Sequence, residues 1–167
     1  VLELTRQLAD TEDPVEIVIT GNQACFRFGP IELITKLIDG KFPDYERVIP
    51  QGNPKLVIAH RTSLLSALQR AAILTNEKFR GLRVVLESGI LKIISSNSEQ
   101  EEAQEELEVN YAGEELELGF NVTYLLDVLN NVVTDTVEIH LNEPMSSALF
   151  TLPGNEQFKA VVMPMRI

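Results

Sequence analysis

The sequence predicts an α+β fold made of repeated units, each a helix packed on antiparallel strands, and three observations carry that expectation. The first is self-similarity. Val15-Glu16-Ile17-Val18-Ile19 and Val137-Glu138-Ile139-His140-Leu141 follow similar helical patterns at residues 2–9 and 122–132, and each precedes further strand patterns. Residues 63–74 read as a helix with Leu64, Leu68 and Ala71 or Ala72 on one face, and Arg83-Val84-Val85-Leu86-Glu87 follows as a strand. That is a third copy, and internal repetition of this size means like units packed side by side. The second observation is turn chemistry. Gly21-Asn22 separates the strand patterns at 15–20 and 24–28, and Ser88-Gly89 separates those at 83–87 and 90–95, so both read as hairpins. The third is capping. Ser63 precedes the apolar stripe of one helix and Asn121 that of another, with Val122, Leu125, Val128, Leu129 and Val132 behind it. The stretch Gly40-Lys41-Phe42-Pro43-Asp44-Tyr45-Glu46-Arg47-Val48-Ile49-Pro50 closes the first unit, and the domain boundary is placed there, giving 1–45 and 46–167. The first part is too short and one-sided to be a complete domain.

Charge divides the chain into electrical sides. Residues 99–118 hold nine acids and no base, so the rest of the chain, with 16 acids against 14 bases, is close to neutral. Residues 55–92 reverse the sign, with seven bases (Lys55, Arg61, Arg70, Lys78, Arg80, Arg83, Lys92) against Glu77 and Glu87. The acidic block reads either as a solvated strand edge that resists aggregation or as a docking edge for a basic partner. With 44% hydrophobic residues a sizeable core is expected, and no apolar run approaches the roughly 20 residues that span a bilayer. The start, Val-Leu-Glu-Leu-Thr-Arg, does not read as a signal peptide, and one unpartnered cysteine, Cys25, fits a reducing compartment; a soluble protein is expected. His60 and His140 belong to no set at metal-ligand spacing, so no metal and no cofactor are expected. No nucleophile with a base, no paired carboxylates on a cleft and no Gly-rich phosphate loop is present, so no catalytic residue is assigned. A carboxylate enzyme is the least favoured of the function classes.

Four segments taken together carry a family resemblance: Asp39-Gly40-Lys41-Phe42-Pro43-Asp44-Tyr45; Asn76-Glu77-Lys78-Phe79-Arg80-Gly81; Gly119-Phe120-Asn121-Val122 with Tyr124-Leu125-Leu126-Asp127-Val128-Leu129; and Val162-Met163-Pro164-Met165-Arg166. The sequence resembles the beta subunit of bacterial DNA polymerase III, the sliding clamp. The first part resembles the second half of that family's middle domain, and the remainder its complete C-terminal domain. The resemblance implies the DNA-clamp fold, a ring with helices lining the DNA side and sheets outside. It implies a cytoplasmic, nucleoid-associated homodimer that encircles duplex DNA without reading its sequence. It also implies contacts between the C-terminal domain of one protomer and the N-terminal domain of the other through Glu99, Glu101, Glu102 and Glu105 with Ile73 and Leu74 as an apolar pair. Position 104 is Gln where the family usually has an acid.

The run Val161-Val162-Met163-Pro164-Met165 is an odd surface segment, apolar enough to need covering or use, and methionine suits a surface that accepts several ligand sequences. In the resembling family this tail forms part of a groove for short peptides of the polymerase III alpha subunit, the clamp loader and other proteins with a clamp-binding motif. The matching positions are Pro43, Arg47, Val48, Phe79, Asn121, Tyr124, Met145, Ser147, Val161, Met163, Pro164, Met165 and Arg166. Pro43, Val48, Phe79, Met145, Val161 and Met163 are suited to apolar anchors, and Arg47 and Arg166 to peptide carbonyls. Arg6, Arg70, Lys78 and Arg80 are the candidates to face DNA, through weak, salt-sensitive contacts. The implied function is a non-enzymatic processivity factor; an acidic α+β adaptor that binds peptides without encircling DNA is the alternative.

Overall fold

The structure, a computed structural model, describes residues 2–8, 12–76 and 78–166. The chain divides into two compact units, one ending at Asp44 and one beginning at Tyr45.

The first unit is helix α1 (Leu2–Gln7) and a meander of β1 (Glu16–Thr20), β2 (Gln23–Phe28) and β3 (Ile31–Lys36), in the order β1-β2-β3. The helix stops short of the expected residue 9, and Ala9 lies outside the described residues. Register gives the sheet two unlike faces. Glu16, Arg27 and Glu32 stand in one row, and the Arg27 guanidinium reaches Glu16 at 3.4 Å and Glu32 at 3.6 Å. On the other face Ile17, Phe26 and Leu33 form a row beside Ile19 and Ala24. Ala24 is the only buried hydrophobic side chain of this unit among the described residues, while Ile17 and Ile19 are 58% and 69% exposed. Among the described residues the unit therefore presents an apolar face and no core of its own.

The second unit opens with a 3-10 turn over Tyr45–Arg47 and then repeats one pattern twice. The first copy is β4 (Lys55–His60), α2 (Arg61–Ile73), β5 (Gly81–Glu87), β6 (Ile90–Ser96) and β7 (Glu102–Glu108). The second is β8 (Leu116–Asn121), α3 (Val122–Asn130), β9 (Thr136–Leu141), β10 (Ala148–Leu152) and β11 (Asn155–Val162). The leading strand of each copy joins the sheet of the other, so the orders are β11-β10-β9-β4 and β7-β6-β5-β8, all antiparallel. The crossing is symmetric in detail. His60 pairs with Thr136 and Asn121 with Gly81, while Arg61 N–H donates to Asp135 O and Val122 N–H to Arg80 O, both at 2.8 Å.

Helical spacing explains what the helices bury. Leu64, Ala67, Leu68, Ala71 and Ala72 form the inner stripe of α2, and Val122, Leu125 and Leu129 that of α3. The alanines let α2 approach α3 and the strands β6 and β7 closely. Alternation along the strands then supplies Leu82, Val84, Leu86, Leu91, Ile93, Leu118 and Phe120 from one sheet and Val57, Val137, Ile139 and Phe150 from the other, in one shared core.

The two helix starts differ from one another and from the sequence expectation. Helix α3 begins as expected, with the Asn121 side chain accepting from Thr123 N–H at 2.9 Å. Helix α2 begins at Arg61, not after Ser63, and its cap position is His60, whose side chain makes no capping bond. The reason is tertiary: β4 runs straight into the helix, and pairing with β9 sets the turn before Ser63 is reached. Helix α3 also ends at Asn130, short of 132, where Asn131 Nδ2 donates to Asp127 O at 2.8 Å. The C-terminus of α2 is capped by side chains, since Ala72 O accepts from Thr75 Oγ1 at 2.8 Å and from Arg80 Nη1 at 3.2 Å.

His60 and Asn121 have nearly the same backbone angles, φ −72°, ψ 120° and φ −77°, ψ 119°. His60→Asn is therefore expected to add the missing cap and raise unfolding free energy by about 0.5–1 kcal/mol, and Asn121→Ala to lower it by about 1 kcal/mol. Urea unfolding of the three proteins checks both signs. Ser95 Oγ is buried with no hydrogen-bond partner, so Ser95→Ala is expected to leave stability unchanged or raise it by up to about 1 kcal/mol in the same measurement.

Candidate functional site

The tail after β11 is held by a device used twice in this unit. Met165 N–H donates to Gly119 O at 2.8 Å, so the segment leaving one sheet bonds to β8, the edge of the other. In the first copy the segment leaving β7 does the same: Asn110 exchanges bonds of 2.9 and 3.0 Å with Ile58 of β4. Ile58 and Gly119 are each the fourth residue of their strand. The copies then diverge. After β7, Val109 N–H donates to Gly89 O and Gly89 N–H to Tyr111 O, and the Tyr111 ring is buried with its hydroxyl donating to Glu114 O at 2.6 Å. The tail has Pro164 in the place of Val109, and proline has no N–H to give. The first copy is thus plugged by its own chain at this point, while the second leaves Met163 61% exposed, its sulfur accepting from Ser147 Oγ at 2.8 Å.

Around the tail several side chains are presented by tightly bonded backbone. Asn76 Oδ1 accepts from the N–H groups of Lys78 and Phe79, and Arg80 turns the chain into β5 with φ 50°. Asn121 Nδ2 donates to Phe79 O at 3.3 Å, tying this loop to the start of α3. The Phe79 ring is left exposed, with Lys78 Nζ 5.3 Å from its centroid. Tyr124, on the first turn of α3, and Met145, between β9 and β10, are also exposed, while Val161, Pro164 and Met165 are half-buried. A separate hollow lies between the opening segment of the unit and β11, with Tyr45, Val48 and Ile49 on one wall and Gln157, Lys159 and Val161 on the other. Val48 and Val161 therefore share a cavity, Ser147 and Met163 share a hydrogen bond, and Phe79 and Asn121 share another. Arg47 and Arg166 are exposed, and Pro43 belongs to the other unit.

Six of the nine acids of the acidic block, Glu99, Glu101, Glu102, Glu105, Glu106 and Glu108, lie in the turn and the edge strand that come after β6, and Glu114, Glu115 and Glu117 lie beyond it. Asn97 Oδ1 accepts from Glu99 N–H and Glu101 N–H, and Asn97 Nδ2 donates to Glu101 Oε2 at 2.7 Å, which displays Glu99, Glu101 and Glu102 together. Strand β7 pairs with β6 and with no other strand among the described residues. Its residues alternate, with Glu102, Gln104, Glu106 and Glu108 exposed and Ala103, Glu105 and Leu107 half-buried on the side of α2. Glu105 accepts both arms of Arg70, at 2.8 Å from Nε and 2.6 Å from Nη2. These bonds hold its carboxyl below the usual carboxylate range. At the end of the same helix Ile73 is 79% exposed and Leu74 half-buried.

The four basic residues read as DNA-facing have partners of their own. Arg6 lies 3.9 Å from Glu3, Arg70 bonds Glu105, Lys78 stands over Phe79, and Arg80 caps α2; Glu77 of the same loop lies outside the described residues. His140, without a partner by spacing, finds one across strands: its Nε2 is 2.9 Å from Thr151 Oγ1, which donates to Glu138 Oε2. Sequence reasoning missed this trio because only the β9–β10 register brings it together. Among the described residues no group of three His, Cys, Asp or Glu could hold a metal, and no helix is long and apolar enough to cross a membrane.

Comparison with known proteins accounts for both units. The C-terminal domain of the DNA polymerase III beta subunit matches residues 46–166, and its central domain matches residues 1–44. The beta sliding clamp of Pseudomonas putida is 50% identical over 167 residues, all of this chain and 46% of the relative. That of Escherichia coli K12 is 43% identical over the same span. A crystal structure of the Pseudomonas aeruginosa clamp superposes with a TM-score of 0.88 at 49% identity, covering 99% of this chain and 45% of that one. Another, bound to griselimycin, gives 0.86. The chain spans about half the length of these relatives. With two structural units matched in order to two consecutive domains, the chain belongs to the DNA polymerase III beta subunit family, the sliding clamps.

Proposed function

We propose that this chain is part of a ring-shaped sliding clamp, a homodimeric DNA polymerase processivity factor without enzymatic activity of its own, working in the bacterial cytoplasm at the nucleoid. In this reading residues 46–167 are the complete C-terminal domain and 1–45 the second half of the middle domain. The contrast between units supports that division: one holds two full sheets around a shared core, the other an apolar face and, among the described residues, one buried hydrophobic side chain.

The single observation that carries the functional reading is the tail opening. We assign Phe79, Tyr124, Met145 and Met163, all exposed, to one groove with Val48, Val161, Pro164 and Met165, a set that suits extended peptides with large apolar anchors. Arg47, Asn121, Ser147 and Arg166 are assigned to its margins as donors. The peptides belong to the polymerase III alpha subunit, the clamp loader and other proteins bearing a clamp-binding motif. A polymerase held this way on a ring around duplex DNA rebinds its template faster than it escapes, so tethering acts as a raised effective concentration. Arg6, Arg70, Lys78 and Arg80 are assigned to the DNA side. Each already has an internal partner, which suits contacts weak enough to permit sliding.

The groove reading is tested by fluorescence anisotropy with a labelled peptide of Gln-Leu…Leu-Phe type. Met163→Ala/Met165→Ala is expected to weaken binding at least about tenfold, and unchanged affinity would remove the groove from the tail. The subunit reading assigns Glu99, Glu101, Glu102 and Glu105 with Ile73 and Leu74 to the dimer edge. In a chain carrying the N-terminal length of its relatives, Ile73→Ala/Leu74→Ala is expected to raise the dimer dissociation constant roughly a hundredfold, as loss of two buried apolar contacts implies. Sedimentation of the pair reads it directly, and an undisturbed dimer would cancel the edge assignment.

A further inference from the structure

The loop that carries Met145 is fastened from outside its own hairpin. The ladder between β9 and β10 runs from the Glu138–Thr151 pair to the His140–Leu149 pair, and residues 142–147 then connect the two strands. Within that loop Ser146 N–H donates to Glu143 O at 3.0 Å, and Met145 is left exposed. Asn53, half-buried in the segment before β4, reaches both roots of the loop: its Nδ2 donates to His140 O and to Ser147 O, each at 3.0 Å. Lys55 Nζ adds a bond to Asn142 O at 2.8 Å. Two carbonyl oxygens facing one nitrogen call for two N–H groups, which a primary amide has and a hydroxyl or a carboxylate lacks. Gly52, with φ 74°, turns the chain immediately before Asn53. The second root matters to the tail, because Ser147 Oγ donates to the Met163 sulfur at 2.8 Å. A line of bonds therefore runs from Asn53 through Ser147 to Met163.

We infer that Asn53 is a positioning residue of the peptide groove. By holding His140 O and Ser147 O on one amide, it fixes the root of the loop that presents Met145 and aims the Ser147 hydroxyl at Met163. The inference rests on the proposed reading of the tail as a peptide groove and adds to it a residue that acts through Ser147. Without the amide the loop would have to be ordered by the arriving peptide, and that ordering weakens binding.

The chain has three methionines, Met145, Met163 and Met165, so methyl labelling gives three methionine signals in a magnetic resonance spectrum, assigned by replacing each with Leu in turn. Asn53→Ala is expected to shift the Met145 and Met163 signals. The Met165 signal is expected to stay in place, since that residue has its own bond to Gly119 O, and its constancy shows that the variant is folded. By anisotropy with the labelled Gln-Leu…Leu-Phe type peptide, Asn53→Ala is expected to weaken binding about three- to tenfold. Asn53→Asp, equal in size but without a donor, is expected to weaken it at least as much. In a Ser147→Ala background the effect of Asn53→Ala is expected to shrink to about twofold or less, because the hydroxyl it aims is gone. Equal losses with and without Ser147→Ala would mean that Asn53 supports the fold in general, and would overturn the inference, as would unmoved Met145 and Met163 signals. If Met163→Ala weakens the peptide and Asn53→Ala does not, the positioning role fails and the groove reading stands. Unchanged affinity in Met163→Ala removes the groove reading itself, and the inference with it.

Discussion

The exchange of leading strands between the two copies is the constraint on which the rest of the second unit depends. Because β4 completes the sheet of the second copy and β8 that of the first, neither copy has a full sheet alone, and each helix starts where a borrowed strand ends. One consequence is mechanical. The direction of α2 is set by the pairing of His60 with Thr136 and that of α3 by the pairing of Asn121 with Gly81, so the helices are aimed by the sheets and stabilised by their apolar stripes. A second consequence is that the sheets have defined ends. The outer strands β7 and β11 are the last of their copies, and the chain leaving each of them has to be secured locally.

Both candidate surfaces arise at those ends. After β7 the chain closes on itself, with Tyr111 buried, and the strand presents Glu102, Glu106 and Glu108 outward. After β11 the tail makes a cross-sheet bond from Met165 to Gly119 but, among the described residues, no counterpart of the Tyr111 plug. Two related segments thus end differently, one as a joint filled by Tyr111 and one with Met163 left exposed. Their difference lies in a few side chains and one missing donor, while the strands and helices around them correspond closely.

Much of this was legible in the sequence because it is local. Gly21-Asn22 and Ser88-Gly89 do form the hairpins, Asn121 does cap α3, and the α+β class with repeated units follows from periodicity alone. The strand before each helix was not legible. β4 and β8 have no partner near them in sequence, so nothing in a short window marks the exchange, and Ser63 looked like a cap because the strand running into Arg61 was unseen. Charge behaved similarly. The acidic block could be located by counting, but that Glu105 faces inward to Arg70 while Gln104 and Glu106 face out needs the register of β7. The tail was marked by its composition, whereas its bond to Gly119 joins residues that only the folded sheets bring together.

Pro164 has a consequence for competition. In the first copy any strand arriving beside the Val109–Gly89 connection would have to displace bonds the chain already makes with itself. At the corresponding place in the tail Pro164 stands, which has no N–H with which to make the bond that Val109 makes. A strand arriving there has no Pro164 N–H bond to break, and meets instead the contact of the Ser147 hydroxyl with the Met163 sulfur.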